Sequence, residues 1–335
     1  MTDVSTQEKT DWIPAVAAAT IIVLVTMDLF MMPVAKTALS AELGINASQV
    51  QSAISLFAIV YAGLCILGGK LGDMMGKKKM YVIGLSLYAL AALIVALAPD
   101  FDILVLGFSI VRGLAVPLAV PASVALIVVS YRSAAQRGIA FSIYGLGAGL
   151  AGLSGPMLMG YMADKVTWRI PFGIDVVVAV IGVLLTLRLR ETETRKDKLD
   201  LSGTALTFAA IAAVILAGML GATYGWWDAR RPFELGGSAF NPLDLSPVVP
   251  LYAAAMLLAA LAVRHVDKVE ETGGSPLFSL RLFDSRAFSA TAVVVILFWL
   301  LVGALPFIVP IFLQDGVGFD GAKTGQVMTA FMTGS

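Results

Sequence analysis

Long apolar runs alternate with short polar segments along this 335-residue chain. At about 1.5 Å per residue, each run is long enough for a helix that crosses the roughly 30 Å hydrocarbon core of a bilayer. We predict membrane-spanning helices at residues 13–34, 50–69, 80–97, 103–129, 138–162, 170–187, 201–223, 248–264 and 287–313, and the start of a tenth near Ala322. The pattern therefore predicts an all-α integral membrane protein.

The composition supports this class and excludes several others. Hydrophobic residues make up 59% of the chain, charged residues 14%, and the mean hydropathy is +0.89, values that would make a soluble protein aggregate. The net charge of zero gives no reason to expect a nucleic-acid partner. Cys65 has no disulfide partner, and the only histidine, His265, excludes a histidine-rich metal site or a catalytic triad within the chain. We therefore expect no enzyme activity, no metal and no cofactor.

The basic residues indicate the orientation, because cytoplasmic loops hold most of the Lys and Arg of membrane proteins. With the N-terminus inside, 16 of the 23 basic residues fall on the inner side, six on the outer side, and Arg112 within a span. The first apolar run is too long for the core of a signal peptide, so we expect it to be retained. The chain is predicted to be a multi-pass protein of the plasma (inner) membrane with a cytoplasmic N-terminus.

Charge also suggests the domain boundaries, because the most charged stretch of the chain, residues 189–199, separates six spans from those that follow. The chain ends at Ser335 inside an apolar stretch, so we expect it to be a fragment of a longer protein. We predict a six-helix transport bundle at 1–187, a charged cytoplasmic linker at 188–200, two additional central helices at 201–264, and an incomplete C-terminal bundle at 265–335.

Three ionisable side chains lie inside predicted spans, where such residues are expensive and usually functional. Asp28 lies about 22 Å from the inner face, whereas Arg112 and Asp175 lie about 14 Å and about 8 Å below the outer face. These depths place all three in the outer half of the membrane, which permits a shared cavity and contact between Asp28 and Arg112. The alternative is a permanent buried pair that fixes helix packing and never titrates.

A charged corner joins the second and third apolar runs. Its characteristic residues are Gly69, Asp73, Gly76, Lys77 and Lys78. The spacing differs from that of a phosphate-binding loop, and no Ser or Thr follows Lys77. Without any switching role, Asp73 would cap a helix beside basic residues.

The fifth run is rich in glycine. Small residues recur every three to five positions, namely Gly145, Gly149, Gly152, Gly155 and Gly160, and Pro156 interrupts the helical hydrogen bonds. Such spacing lets helix backbones approach closely in lipid, and a bendable, smooth helix suits two bundles that rock against each other. Ordinary close packing without a transport role is the alternative.

The charged corner resembles a known loop, the one between helices two and three of the major facilitator superfamily. Our chain resembles its fourteen-helix drug:proton antiporter branch in particular. The resemblance implies that Asp73 and the basic residues latch the two halves of the transporter in one state. Met74 stands where an arginine is usual. The additional central helices would distinguish this branch from twelve-helix members, although the sequence leaves both layouts open.

Further motifs extend the resemblance across nearly the whole chain. Arg112 begins a segment similar to the arginine motif that the family uses in proton coupling. The run 149–160 is similar to the motif of exporters, with Met159 replacing a glycine. Asp175 occupies a position at which asparagine is more common, and Asp28 stands where the antiporter branch carries its first-helix acid.

Taken together, the residues and the resemblance predict proton-coupled efflux of drugs or lipophilic cations by alternating access. In this hypothesis Asp28 binds a proton or a cationic substrate in turn, and the distance of Arg112 differs between conformations. The proton gradient supplies the energy. The expected partners are the lipid bilayer, a small lipophilic or cationic substrate and protons, and we expect a monomer. Two alternatives remain: a facilitator-family transporter of a specific metabolite, which requires more fixed polar groups, and a non-transporting scaffold or fragment.

Overall fold

The computed structural model is almost entirely helical. It describes residues 10–194, 198–231, 233–235, 238–240 and 245–333. The predicted polar N-terminus at 1–9, the centre of the predicted linker at 195–197 and the chain end at Ser335 lie outside the described residues.

Twelve α-helices are present in the described part of the chain. Their bounds are α1 Ile13–Val34, α2 Lys36–Leu43, α3 Ala47–Met75, α4 Lys77–Ala96, α5 Phe101–Val105, α6 Arg112–Ser130, α7 Ala134–Lys165, α8 Arg169–Leu187, α9 Leu201–Tyr224, α10 Val248–Glu271, α11 Arg286–Ile311 and α12 Gly321–Thr333. Helices α5 and α6 are joined by a π-helical turn, Leu106–Val111, into one continuous span. Among the described residues, nine helical stretches are long and apolar enough to cross a membrane. The predicted class of all-α membrane protein is confirmed.

The corner between the second and third spans is tighter than the sequence suggests. We predicted a charged turn from Gly69 to Lys79, but α3 continues to Met75 and α4 begins at Lys77. Gly76 alone separates the two helices, with φ of 101°, a value that residues with a Cβ rarely adopt. Asp73 is therefore on a helix, because the hydrogen-bonded backbone of α3 continues through polar residues beyond the end of the apolar run.

Side-chain caps define several helix starts. Asn46 and Gln49 form a reciprocal capping box at α3, and Ser133 and Gln136 form another at α7. Each pair satisfies backbone N–H groups that lack partners in the first turn of a helix. Asp200 caps α9 by accepting a hydrogen bond from the Gly203 amide.

The core lies between the spans that pack around α1. One apolar cluster includes Met31, Trp168 and Phe172, and a second includes Leu24 and Leu85. Helix α1 contacts α6, α7 and α8, while α4 packs against α6 and α8 and α3 packs against α6. Helix α9 lies between α3 and α10, and α12 lies against α7. The ionisable residues of the spans lie where the two clusters meet.

The connection from α9 to α10 contains the β-structure found among the described residues. Strands β1 (Phe233–Leu235) and β2 (Ser238–Phe240) pair antiparallel, with Phe233 opposite Phe240. Three-residue strands carry too little periodicity for detection in the sequence. This hairpin is a feature of a loop and leaves the helical class unchanged.

Candidate functional site

Four helices bring polar side chains together at the centre of the bundle. Asp28 projects from α1, Tyr88 from α4, Arg112 from the first residue of α6 and Asp175 from α8. Arg112 Nη1 lies 2.5 Å from Asp28 Oδ2, and Arg112 Nη2 lies 3.9 Å from Asp175 Oδ2. The Tyr88 hydroxyl donates a short hydrogen bond to Asp28 Oδ2. The arrangement is a three-charge cluster of one cation and two acids, with Tyr88 attached to one acid.

The cluster is almost completely shielded. Asp28, Arg112 and Asp175 are 5%, 1% and 0% exposed. In the described part of the chain, neither the Arg112 side-chain nitrogens nor the Asp175 oxygens have a hydrogen-bond partner of good geometry. The contacts are thus charge–charge contacts with few directed hydrogen bonds. Such a pair compensates poorly for the desolvation of its members, which suits a site whose partners exchange.

Aromatic rings surround the guanidinium of Arg112. Its Cζ atom lies 4.7 Å from the ring centroid of Tyr88, 5.2 Å from that of Phe108 and 5.6 Å from that of Phe172. A cation over an aromatic face within about 6 Å is attracted by the ring quadrupole. Phe108 belongs to the π-helical turn that ends immediately before Arg112, an irregularity that occurs frequently at functional sites.

A cavity of about 570 Å³ opens beside the charge cluster. Its walls are mainly apolar and aromatic, and Asp28 and Arg112 form its charged part. The aromatic residues that line it are Phe57, Tyr61, Tyr88, Phe108 and Trp299. This volume falls in the range of small-molecule sites. Asp175 does not line the cavity, because it lies behind Arg112.

The contact between Asp28 and Arg112 that the predicted depths permit is present. Asp175 lies beside Arg112 but outside the cavity wall, which differs from the expected cavity shared by all three residues. Sequence reasoning missed the aromatic part of the site, namely Tyr61, Tyr88, Phe108, Phe172 and Trp299. A tyrosine in the middle of an apolar span was the one usable signal, since a buried hydroxyl needs a partner. The phenylalanines carry no such signal, because most aromatic residues of a span face lipid or the core.

The glycines of α7 divide into two groups. A Cβ at Gly155 would lie 3.1 Å from the Met27 carbonyl oxygen, and one at Gly160 would collide with the Gly321 backbone. Gly152 has only ordinary contacts with α1, and a Cβ at Gly145 or Gly149 would have no described atom within 4 Å apart from its own stretch of helix. Close backbone approach is therefore present at Gly155 and Gly160, on either side of the turn that contains Pro156. For Gly145 and Gly149 the packing role stays a prediction.

The charged corner contacts the segment that follows α8. Lys78 Nζ donates to the carbonyl oxygens of Leu187 and Leu189 at 3.0 and 2.6 Å. The Glu191 carboxylate accepts from the Lys78 and Lys79 amides at 3.2 and 3.1 Å. The start of the predicted linker therefore caps the first turn of α4, which has no capping side chain of its own.

Asp73, by contrast, pairs within the corner. Its Oδ1 lies 3.0 Å from Lys77 Nζ, one helical turn later, and Gly69 makes only ordinary contact with Pro121. The contact between this corner and the later helices comes from Lys70, which donates to Ser275 and to the Pro276 carbonyl. The predicted latch role of Asp73 stays a prediction.

The sequence as a whole matches a known family. A model of the Major Facilitator Superfamily covers residues 18–335. The chain belongs to the major facilitator superfamily. Its family and its nine described helical stretches of membrane length make it a multi-pass membrane protein.

Similar proteins support this membership. The uncharacterized MFS-type transporter EfpA of Mycobacterium tuberculosis (strain ATCC 25618 / H37Rv) is 25% identical over 92% of this chain and 54% of its own length. The methylenomycin A resistance protein of Streptomyces coelicolor is 27% identical over 92% of this chain and 61% of its own length. The chain thus spans little more than half the length of these relatives. The crystal structure of the human organic anion transporter MFSD10 (TETRAN) is similar in fold, with a TM-score of 0.55, 14% identity, and coverage of 96% of this chain and 68% of that one.

Proposed function

We propose that this major facilitator protein exports lipophilic or cationic drugs in exchange for protons, as part of the fourteen-helix drug:proton antiporter branch. The observation that carries the proposal is the Asp28–Arg112 ion pair at the wall of the central cavity. The charge cluster binds a proton or a cationic substrate in turn. Once one of them is bound, a further positive charge in the same buried site would be energetically costly.

The walls of the cavity support a lipophilic substrate. Aromatic and aliphatic side chains supply most of the surface, and few fixed polar groups are available to recognise a hydrophilic metabolite. Rings such as those of Tyr61 and Trp299 attract organic cations through their faces. The name of the methylenomycin A resistance protein agrees with export of a small antibiotic.

The proposal includes the predicted organisation of the protein. The six-helix bundle of residues 1–187 and a C-terminal bundle that begins at 265 rock about the central cavity, with the linker at 188–200 and the additional helices at 201–264 between them. The protein lies in the plasma membrane as a monomer with a cytoplasmic N-terminus. The proton gradient drives export without a cofactor.

The test is uptake of a fluorescent lipophilic cation into inverted membrane vesicles that carry a proton gradient. We expect the wild-type protein to accumulate the dye. The uptake rate of Asp28→Asn should be at least about tenfold lower, because the substitution leaves Arg112 without its nearest charged partner. Asp102→Asn is the matched control, because Asp102 is exposed in the first turn of a helix and does not line the cavity.

Each result decides between the alternatives. Equal uptake by wild type and Asp28→Asn would remove Asp28 from the mechanism. No proton-driven uptake of any lipophilic cation by a correctly inserted wild-type protein would favour a transporter of a specific metabolite instead.

A further inference from the structure

The charge cluster contains an odd number of charges. Arg112 stays protonated at any physiological pH, so it contributes one positive charge. Asp28 and Asp175 contribute two negative charges when both are ionised. A net charge in a shielded site is expensive unless another ion neutralises it. The site with both acids ionised therefore lacks one positive charge.

Asp175 and Asp28 are held very differently. Asp28 has the Arg112 guanidinium at 2.5 Å and the Tyr88 hydroxyl on the same oxygen. Asp175 is 0% exposed, its nearest Arg112 nitrogen is 3.9 Å away, and neither of its oxygens has a hydrogen-bond partner in the described part of the chain. Asp28 thus has partners for an ionised carboxylate, whereas Asp175 lacks them.

We propose that Asp175 holds the exchangeable proton and serves as the second counter-ion of Arg112, so that the site trades one proton for one monovalent cation. This inference rests on the proposed function, because it assumes that a cation enters the cavity beside Asp28. Asp175 is then a specificity-determining residue. It never contacts the substrate, since it lies outside the cavity wall, and it acts through Arg112.

The exchange balances in charge and protons. At rest Asp175 is protonated, Asp28 pairs with Arg112, and the site is neutral. When a monovalent cation from the cytoplasm binds Asp28, the guanidinium of Arg112 leaves the cavity wall and turns to Asp175. This movement admits cavity water to Asp175, and that water accepts the proton. After the cation departs on the outer side, a proton from that side returns to Asp175 and Arg112 returns to Asp28. Each neutral state contains either the proton or the cation.

The experiment compares binding of tetraphenylphosphonium with binding of triphenylphosphine oxide, a neutral compound with similar phenyl groups. Both are titrated by calorimetry into purified protein in nanodiscs, and a pH indicator in weak buffer reports proton release. We expect wild type to release one proton for each bound tetraphenylphosphonium and none for triphenylphosphine oxide. Asp175→Asn leaves a neutral Asp28–Arg112 pair, so we expect at least about tenfold weaker cation binding, no proton release and unchanged binding of the neutral compound.

A second variant keeps the test decisive if Asp175→Asn does not fold. Asp175→Glu retains the acid, and we expect it to shift the carboxyl stretching band that disappears from the infrared difference spectrum when tetraphenylphosphonium binds. An unshifted band, or proton release by Asp175→Asn equal to that of wild type, would overturn the inference. If Asp28→Asn abolishes vesicle uptake while Asp175→Asn transports normally, the inference fails and the proposed function stands. If wild type neither binds nor transports the cation, both fall.

Discussion

At the scale of single residues, the site depends on how Arg112 is held. The guanidinium has three aromatic ring centroids within 6 Å, Asp28 beside it at the cavity wall and Asp175 behind it. The rings replace part of the hydration that burial removes, while the carboxylates provide charge neutralisation. A planar, delocalised cation can use both kinds of contact at once, which a compact ammonium group cannot.

We therefore predict that Arg112→Lys is defective although it conserves the charge. The lysine ammonium loses the ring stacking and the ability to reach Asp28 and Asp175 together, so uptake of a lipophilic cation into inverted vesicles should fall at least about tenfold. Arg137→Lys is the control, because Arg137 does not line the cavity and its guanidinium contacts the Arg132 carbonyl oxygen. Uptake by Arg112→Lys close to the wild-type rate would show that charge alone suffices.

At the scale of helices, the ends and contact faces are set by short-range chemistry. Asp200 shows this for α9: Oδ1 accepts from the Gly203 amide at 2.8 Å and lies 2.8 Å from His265 Nε2 on α10. The pKa of the Asp200 carboxyl is lowered, because the hydrogen bonds from Gly203 and His265 outweigh the opposite effect of partial burial. One carboxylate thus caps α9 and joins it to α10.

This link predicts a pH-dependent contribution to stability. Because the folded-state pKa of Asp200 is depressed, its contribution is fully present above the unfolded-state value of about 3.9 and is lost as the pH falls through the folded-state pKa. Asp200→Ala should lower the free energy of unfolding by about 0.5–2 kcal/mol at pH 7, with the deficit shrinking below about pH 4. Thermal unfolding in detergent from pH 3 to pH 7 measures this.

The matched variant for this test is Asp200→Asn. Asparagine retains a capping oxygen without the charge, so its deficit at pH 7 should be smaller than that of the alanine variant. A deficit for Asp200→Ala that stays constant down to pH 3 would contradict the assignment of the pH dependence to this carboxylate.

The two groups of glycines in α7 give a second prediction for helices. A Cβ in Gly155→Ala would meet the α1 backbone at 3.1 Å, and overpacking of this kind destabilises by about 1–3 kcal/mol. Gly149→Ala enters open space, so we expect no loss of stability. The measurement is thermal unfolding of both variants in the same detergent. Equal unfolding temperatures would show that α1 and α7 are not in close contact.

At the scale of the whole molecule, the early and late helices meet on the predicted outer side. Lys36 Nζ lies 2.6 Å from Asp315 Oδ1, and Thr37 Oγ1 lies 3.2 Å from Gln314 Oε1. Helices α7 and α12 also pack together at this end, where a Cβ at Gly160 would collide with the Gly321 backbone. Early and late helices are therefore joined at the end of the bundle that the sequence predicts to be outer.

We predict that the Lys36–Asp315 ion pair helps to close that side. An exposed pair of this kind contributes up to about 1 kcal/mol, so Lys36→Asp should increase outer access by up to about fivefold. Ile54, which lines both the crevice beside the pair and the central cavity, is the reporter position. The rate at which a membrane-impermeant thiol reagent labels Ile54→Cys from outside, in a Cys65→Ala background, measures the access.

The double variant Lys36→Asp with Asp315→Lys is the control for that test. It restores an opposite-charge pair, so labelling should return towards the rate seen with the native pair. If single and double variants label at the same rate, the two residues do not form an outer closure.

Much of the fold was readable from the sequence, because a bilayer requires each span by itself to be a long apolar stretch. The apolar runs predicted the nine membrane-length stretches, and the acids at mid-span identified Asp28 and Asp175 as exceptional. The depths of these residues and Arg112 followed from the rise of a helix, and the structure shows the Asp28–Arg112 contact that those depths permit. Each of these inferences uses only the distance along one helix.

The tertiary structure decided everything that depends on how helices are rotated against one another. It selected Tyr88, Phe108 and Phe172 as the aromatic surroundings of Arg112, placed Asp175 behind the cavity wall, and separated the packed Gly155 from the open Gly149. Such contacts depend on the shapes of surfaces from segments far apart in the chain. Hydropathy records whether a residue tolerates lipid or a dry core, but it does not record which neighbour the residue meets there.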